Sequence, residues 1–322
     1  WAGTTIGDER SRILDQHRIL TYANLEGESL NPWFDHYSFT VSHQRQDEEQ
    51  TRVRGDGRSD VQGFTVDTYG TNLQFDKYLD FTDLTYGFSY YHDRIDSCRN
   101  DFNADGSFRG SRIQGAVGDA GTYDLFASFI NSSTELNERT RVDLGGRYTF
   151  AEADIGEVED PLSGGQTSIN RSWQNVVGSG RISYQVDELD RVRLFGAVSQ
   201  SFRAPNLSDL SRFSSARSNE IETPSPNVDP EEFTTYEVGV KTAFGDLSSV
   251  LSYYYTDIDG MILRSPTGRI ISGETEVTKS NSGDGHVQGV ELTFGYDWTD
   301  QVQFFGGFAY QDSRVTTFAT SA

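Results

Sequence analysis

Residues 234–244 read TTYEVGVKTAF. In an extended chain successive side chains point to opposite sides, so Thr234, Tyr236, Val238, Val240, Thr242 and Phe244 share one face. Thr235, Glu237, Gly239, Lys241 and Ala243 share the other. Four of the six first-face positions carry an apolar or aromatic group, and the second face is small or charged. The same two-faced pattern recurs in Val290, Leu292, Phe294, Tyr296 and Trp298 against Glu291, Thr293, Gly295 and Asp297. It returns in Val142, Leu144, Gly146, Tyr148 and Phe150 against Arg141, Asp143, Gly145, Arg147 and Thr149, and in Leu84, Tyr86, Phe88 and Tyr90 against Thr85, Gly87 and Ser89.

Working outward from these runs, the alternation predicts strands near 12–27, 33–46, 62–75, 80–93, 121–131, 136–151, 172–186, 190–201, 233–244, 246–258, 286–299 and 301–313. The connections between them alternate in length. Short turns fall at Glu28–Pro32, Asp76–Leu79, Ser132–Glu135, Asp187–Leu189, Gly245–Asp246 and Thr299–Asp300. Long segments fall at Asp47–Val61, Arg94–Ala120, Glu152–Arg171, Phe202–Glu232 and Asp259–Gly285. Short turns on one side and long loops on the other, joining strands with one apolar face, are the pattern of an antiparallel transmembrane β-barrel. A soluble sandwich or propeller alternates too, but with shorter strands and no such order in its loops. Trp33 with Phe34, the run Tyr253–Tyr255, and Trp298 suit aromatic girdles at the two membrane interfaces.

Composition agrees with an all-β chain. The 322 residues include 16 Tyr, 21 Phe, 4 Trp and 32 Gly, with one Met and one Cys. Mean hydropathy is -0.58, and no apolar run approaches the roughly 18 residues that a spanning helix needs. A barrel escapes that test because its strands average a lipid-facing and a lumen-facing side. The net charge of -22 repels a phosphate backbone, which argues against nucleic acid. Cys98 is the single cysteine and so forms no intramolecular disulfide framework, and neither it nor any Ser sits in a recognisable nucleophile setting with a His and an orienting acid, so no enzymatic activity is expected. Residues 1–20 carry Asp8, Glu9, Arg10, Arg12, Asp15 and Arg18 with no apolar core, so no signal peptide is read there.

Two segments go beyond architecture: SQSFRAPNLSDL at Ser199–Leu210 and PNVDPEEFTTYEVGVK at Pro226–Lys241. With SYYYTDIDGMILR (Ser252–Arg264), SNSGDGHVQGVELTFGYDW (Ser280–Trp298), YANLEG (Tyr22–Gly27) and ELNERTRVDLGGRY (Glu135–Tyr148), they resemble, in order and spacing, the signature boxes of TonB-dependent outer-membrane receptors. The resemblance covers nearly the whole chain. It implies a plugged barrel of about 22 strands, of which residues 1–322 would be a fragment holding about twelve, with the N-terminal plug, the TonB box and the terminal strands absent. It also implies a function: TonB-dependent import of a scarce ligand, a ferric siderophore or another iron chelate, across the outer membrane of a Gram-negative bacterium. The expected partners are TonB, that ligand and outer-membrane lipid. A passive or secretory barrel without a plug is the alternative, and a soluble surface-binding β protein is a third reading.

The family-motif residues expected to shape the outer loop are Phe202, Arg203, Ala204, Pro205, Asn206, Leu207, Pro226, Asn227, Pro230, Glu231 and Glu237. Arg203 is expected to order it by pairing with Asp209 or Glu231, and the prolines to set the direction of the chain. The resemblance extends to haem receptors, whose boxes bracket a ligating His. Asn206–Ser225 holds neither His nor Tyr, and Ser225 stands where that family carries Asn, which argues against haem. His17, His36, His43, His92 and His286 are scattered and carry no assigned role. Arg141, Asp143, Arg147, Glu237, Lys241 and Glu291 are expected on the lumen face. The stretch DFNADGS offers Asp101, Asn103 and Asp105 before Gly106 as half of a calcium loop, but Arg112 stands where a bidentate Glu is required. An Asx-rich turn is the expectation there, with calcium the lesser reading and no other cofactor.

Overall fold

The computed structural model describes residues 9–29, 31–189, 191–215, 220–271 and 273–315. They form one sheet of fifteen strands and a single short helix. In chain order these are β1 (Glu9–Glu28), β2 (His36–Arg54), β3 (Ser59–Tyr78), β4 (Thr82–Phe102), β5 (Phe108–Ser111), β6 (Asp119–Asn137), β7 (Thr140–Glu159), β8 (Gln166–Gln185) and β9 (Val192–Arg203). Then follow α1 (Leu207–Ser211), β10 (Ser214–Ser215), β11 (Glu220–Thr223), β12 (Glu231–Phe244), β13 (Leu247–Ile271), β14 (Glu274–Thr299) and β15 (Val302–Val315).

Twelve of the strands are long, and each expected strand corresponds to one of them. They pair antiparallel with their neighbours in the order β1-β2-β3-β4-β6-β7-β8-β9-β12-β13-β14-β15. This is the antiparallel transmembrane barrel wall that the alternation predicts. No helix among the described residues is long and apolar enough to cross a membrane. At Gly245 the chain turns from β12 to β13 with φ at +56°, a left-handed conformation that a two-residue hairpin demands and glycine supplies without strain.

Register aligns the apolar positions of neighbouring strands into rows. Leu194, Val240, Leu251, Leu292 and Phe308 lie side by side across β9, β12, β13, β14 and β15. A row nearer the long-loop end holds Val238, Tyr253, Val290 and Tyr310. Leu144, Val176, Ile182, Val238 and Phe308 are all more than half exposed. An apolar face this extensive is far larger than a soluble monomer displays, and it fits hydrocarbon. Trp33 and Trp298 lie exposed at the short-turn end, and Tyr253 and Tyr255 near the other border of the band. Tyr254 departs from the expected girdle: it pairs with Glu237 and so faces inward.

The strands are longer than expected. Asp47–Val61, Glu152–Arg171 and Asp259–Gly285, expected as loops, are for the most part strand, because β2 with β3, β7 with β8, and β13 with β14 continue their ladders well past the apolar band. Their Gly, Ser, Thr and charged residues read as loop in sequence, yet they continue the ladders whose register is set within the band. Past the band the two faces exchange character. On β7 the outward set continues as Glu152 and Asp154, and the inward set, polar at Arg141, Asp143 and Arg147, continues as fully buried Ala151, Ala153 and Ile155. Outward is now water, and inward is a packed core.

Replacing Leu251 by Arg, in the middle of the lipid-facing row, is expected to cost about 2 to 4 kcal/mol. Urea unfolding of the protein refolded in lipid vesicles measures this, and an unchanged midpoint would remove Leu251 from the lipid face.

Candidate functional site

The core under the mouth gathers Ile95 of β4, Ala151, Ala153, Ile155 and Val158 of β7, and Ile169 and Trp173 of β8 with Leu207, Leu210 and Val228. The last three belong to the segment between β9 and β12, so this connection turns inward and packs on the inner wall instead of standing out in solvent. Asn206 starts α1 with a capping box: its side-chain oxygen accepts from the Asp209 amide at 2.9 Å, and the Asp209 carboxylate accepts from the Asn206 amide at 3.1 Å. The cap aims Leu207 and Leu210 at the wall. Gly121 leaves the room for Leu207, since a Cβ there would lie 2.8 Å from the Leu207 methyl. The segment then reaches the far side of the mouth, where β11 pairs in parallel with Thr275–Thr278 of β14 and carries β10 beside it. Residues 112–118 meet it from below. Gln114 donates to the Ser211 carbonyl at 2.7 Å and accepts from the Glu159 amide at 2.8 Å, and the Gly118 amide donates to Ser211 Oγ at 2.8 Å.

The charges that fix this fold centre on Arg203 and Lys279. Arg203 Nε donates to Glu231 Oε2 at 2.6 Å and Nη1 to Asp209 Oδ2 at 2.7 Å, so one guanidinium takes both carboxylates expected for it. Glu231 is the register partner of Arg203 at the end of β9 and β12, and its other oxygen accepts the Ile262 amide at 2.7 Å. Lys279 of β14 donates to Asp209 Oδ1 at 2.9 Å and to the Ser208 carbonyl at 3.1 Å. Burial pushes the Asp209 carboxyl up, but the hydrogen bonds from Lys279 and Arg203 outweigh it and hold the group below the usual carboxylate range. The bond to Glu231, against the opposing effect of burial, keeps Arg203 firmly protonated. Glu222, 1% exposed, stands among Arg264, Lys279 and Arg212 at 3.4, 3.5 and 3.6 Å.

The second box is clamped by Asn281, which accepts from the Asp229 amide at 2.7 Å and donates to the carbonyls of Asp229 at 2.8 Å and Gly260 at 2.7 Å. Asn227 accepts from Arg171 at 3.2 Å, while Pro226 is exposed and Pro230 half-buried. Pro205 is fully buried and Ala204 packs at the edge of the core. Ser225 donates toward the Thr223 carbonyl, accepts the Lys279 amide at 2.7 Å, and its own amide donates to the Leu210 carbonyl at 2.7 Å.

Two expected residues lie apart from this cluster. Phe202 pairs with Glu232 on the opposite face of the β9–β12 ladder, and Glu237 faces the lumen lower down beside Ala197 and Tyr254. The lumen wall around Glu237 is polar, with Arg141 bonded to Asp143 at 3.1 Å and Arg181 and Lys241 over the Phe195 ring. Asp101 is held by Arg99 and Arg112, both at 2.9 Å, whereas Asn103 and Asp105 bond Ser107 within the turn that Gly106 closes. Three of the histidines pair with acids on neighbouring strands: His36 with Asp76 at 3.1 Å, and His43 with Asp67 and His92 with Asp124 at 2.8 Å. Gln114, Glu222, Arg264, Lys279 and Asn281 take part in the site although nothing in the sequence alone assigned them to it. Asn281 and Lys279 could have been found from their place in and beside the Ser280–Trp298 box.

Because the Asp209 pKa is depressed, its contribution is present above the ordinary value of 3.8 and is lost as pH falls through the lower folded value. Hydrogen-exchange protection of residues 204–215 should therefore hold from neutral pH to about 4 and fall below it. Asp209→Asn should lower that protection at neutral pH by about 1.5 to 3 kcal/mol, and unchanged protection would show that the ion pairs do not hold the segment.

The family model described as TonB dependent receptor-like, beta-barrel matches residues 2–322. The metal-pseudopaline receptor CntO of Pseudomonas aeruginosa (strain UCBPP-PA14) is 25% identical over 196 residues, covering 60% of this chain and 25% of that receptor. Among solved structures, the Serratia marcescens hemophore receptor HasR, a double mutant in complex with its hemophore HasA and heme, superposes with a TM-score of 0.74 at 16% identity, over 95% of this chain and 49% of that one. The siderophore receptor PiuA from Acinetobacter baumannii gives 0.69 at 16% identity, over 96% and 48%. These likenesses show the fold, and the chain spans about half the length of the solved receptors. The chain belongs to the TonB-dependent receptor-like β-barrel family.

Proposed function

We propose that this chain is part of the wall and outer mouth of a receptor that imports a scarce ligand, a ferric siderophore or another iron chelate, across the outer membrane of a Gram-negative bacterium. The observation that carries this reading is the inward fold of residues 204–215 and 220–230. They pack on β4, β7 and β8 and end on β14, so they lie across the lumen mouth instead of leaving it open. In a passive channel such a segment would serve only to narrow the pore. A receptor uses it to present a shaped, rigid surface to a ligand.

The rest of the proposal concerns the whole protein. β1 and β15 stand at the two edges of the sheet among the described residues, and an unpaired ladder edge in hydrocarbon is too costly to persist. Further strands, to a total of about 22, would pair with them, and a plug would fill the polar lumen lined by Arg141, Asp143, Glu237 and Lys241. TonB, engaging a segment of that plug, would supply the work of transport. Metal chelates suit the relatives named as siderophore and metal-pseudopaline receptors. Haem suits the site less, because residues 206–225 hold neither His nor Tyr to ligate its iron.

In a strain whose other iron receptors are deleted, growth on chelated iron should require both this receptor and TonB. Growth that persists without TonB would overturn the import reading.

A further inference from the structure

Between the inner face of β1–β3 and the two inturned segments lies a cavity of about 280 Å³, lined among others by Arg12, Arg52, Arg212, Glu48, Gln62 and Ser208. It sits beyond the apolar band, at the height of the mouth. Three guanidinium groups face one carboxylate there, within a chain of net charge -22. Arg12 is held by Glu9 at 2.9 Å, and Arg52 by Asp60 at 3.0 and 2.8 Å. Arg212 is less committed: it donates from Nε to Ser214 Oγ at 3.2 Å, and among the described residues its nearest carboxylate is Glu222 at 3.6 Å. Glu48 accepts from Gln16.

The second observation is Gln62. It is 8% exposed, and its Oε1 has no hydrogen-bond partner among the described residues. A buried acceptor left unpaired costs about 1 to 3 kcal/mol, and in a cavity wall that cost is recovered when a ligand supplies an O–H or N–H. Arginine in a cavity recognises a planar oxyanion through parallel N–H donors. The two demands together describe one chemical group.

We infer that this cavity binds a hydroxycarboxylate group, its carboxylate on Arg212 in the field of Arg12 and Arg52, and its hydroxyl donating to Gln62 Oε1. The inference rests on the import reading for the source of the group, which would be part of the chelate carried.

The test uses the full-length receptor in detergent, titrated calorimetrically with L-malate and with succinate, which differ by the hydroxyl alone. Malate is expected to bind about tenfold more tightly than succinate, the discrimination typical of one satisfied buried hydrogen bond. Gln62→Leu should abolish that preference and leave succinate unchanged. Arg212→Gln should weaken both acids by tenfold or more. Should that variant fail to assemble, Arg212→Lys, which keeps the charge and loses the fork, should weaken both several-fold. The proposal is overturned if neither acid binds, if the variants bind as the parent does, or if Gln62→Leu alters thermal stability in a receptor that takes up no malate, since another segment of the receptor then fills the cavity. Iron-limited growth of the same strains keeps the two readings apart. TonB-dependent growth with a flat titration removes the cavity alone, and TonB-independent growth removes import while the titration still decides the cavity.

Discussion

A backbone amide or carbonyl left unpaired in hydrocarbon has no water to turn to, and each one costs several kcal/mol. That constraint lies behind most of what is seen here. It forces every crossing segment into a continuous antiparallel ladder, from β1–β2 to β14–β15. It fixes the register as well, because slipping one strand by a single residue would turn Leu194, Val240, Leu251, Leu292 and Phe308 toward the lumen and charged groups toward lipid. Once the ladders are set in the band they run on beyond it, and these extensions form the rigid rim on which the mouth is built.

At the rim the solvent changes and the chemistry follows. Where the outward side meets lipid, the outward residues are apolar and the inward ones polar. Where it meets water, the order reverses, and Ala151, Ala153 and Ile155 of β7 become a floor for Leu207, Leu210 and Val228. An apolar floor alone would hold the inturned segment without fixing its orientation. Asp209 adds direction. It caps α1, takes Arg203 from β9 and Lys279 from β14, and so ties both sides of the mouth to one short helix. The proposed cavity lies beside this tie, and Arg212, which lines it, also stands near Glu222 of the same charge network.

Much of the fold was legible in the sequence because its signal is local. A period of two with one apolar face needs only a window of about ten residues, and the twelve strands were found from it. The outer extensions were hidden for a physical reason. Ala151-Glu152-Ala153-Asp154-Ile155 also alternates, but in the opposite phase, since its apolar side faces a core that includes Leu207, Leu210 and Val228, more than fifty positions away. Read without that core, it looks like a polar loop. The pairing of Arg203 with Asp209 and Glu231 was within reach because all three belong to boxes read together, whereas Glu237, read with the same box, lies on the lumen wall outside the cluster.

By itself, then, the sequence determined the all-β class and the twelve long two-faced strands, which follow from side-chain alternation and the demands of lipid, while the lengths of the outer connections did not survive as read. Only the tertiary structure decided that residues 204–215 and 220–230 turn inward, that Lys279, Asn281 and Gln114 hold them, and that Arg12, Arg52, Arg212 and Gln62 share one cavity. These contacts join β1, β2, β3, β7 and β14 through the curvature of the sheet. Curvature arises from the summed twist and register of many strands, and no single stretch of chain encodes it.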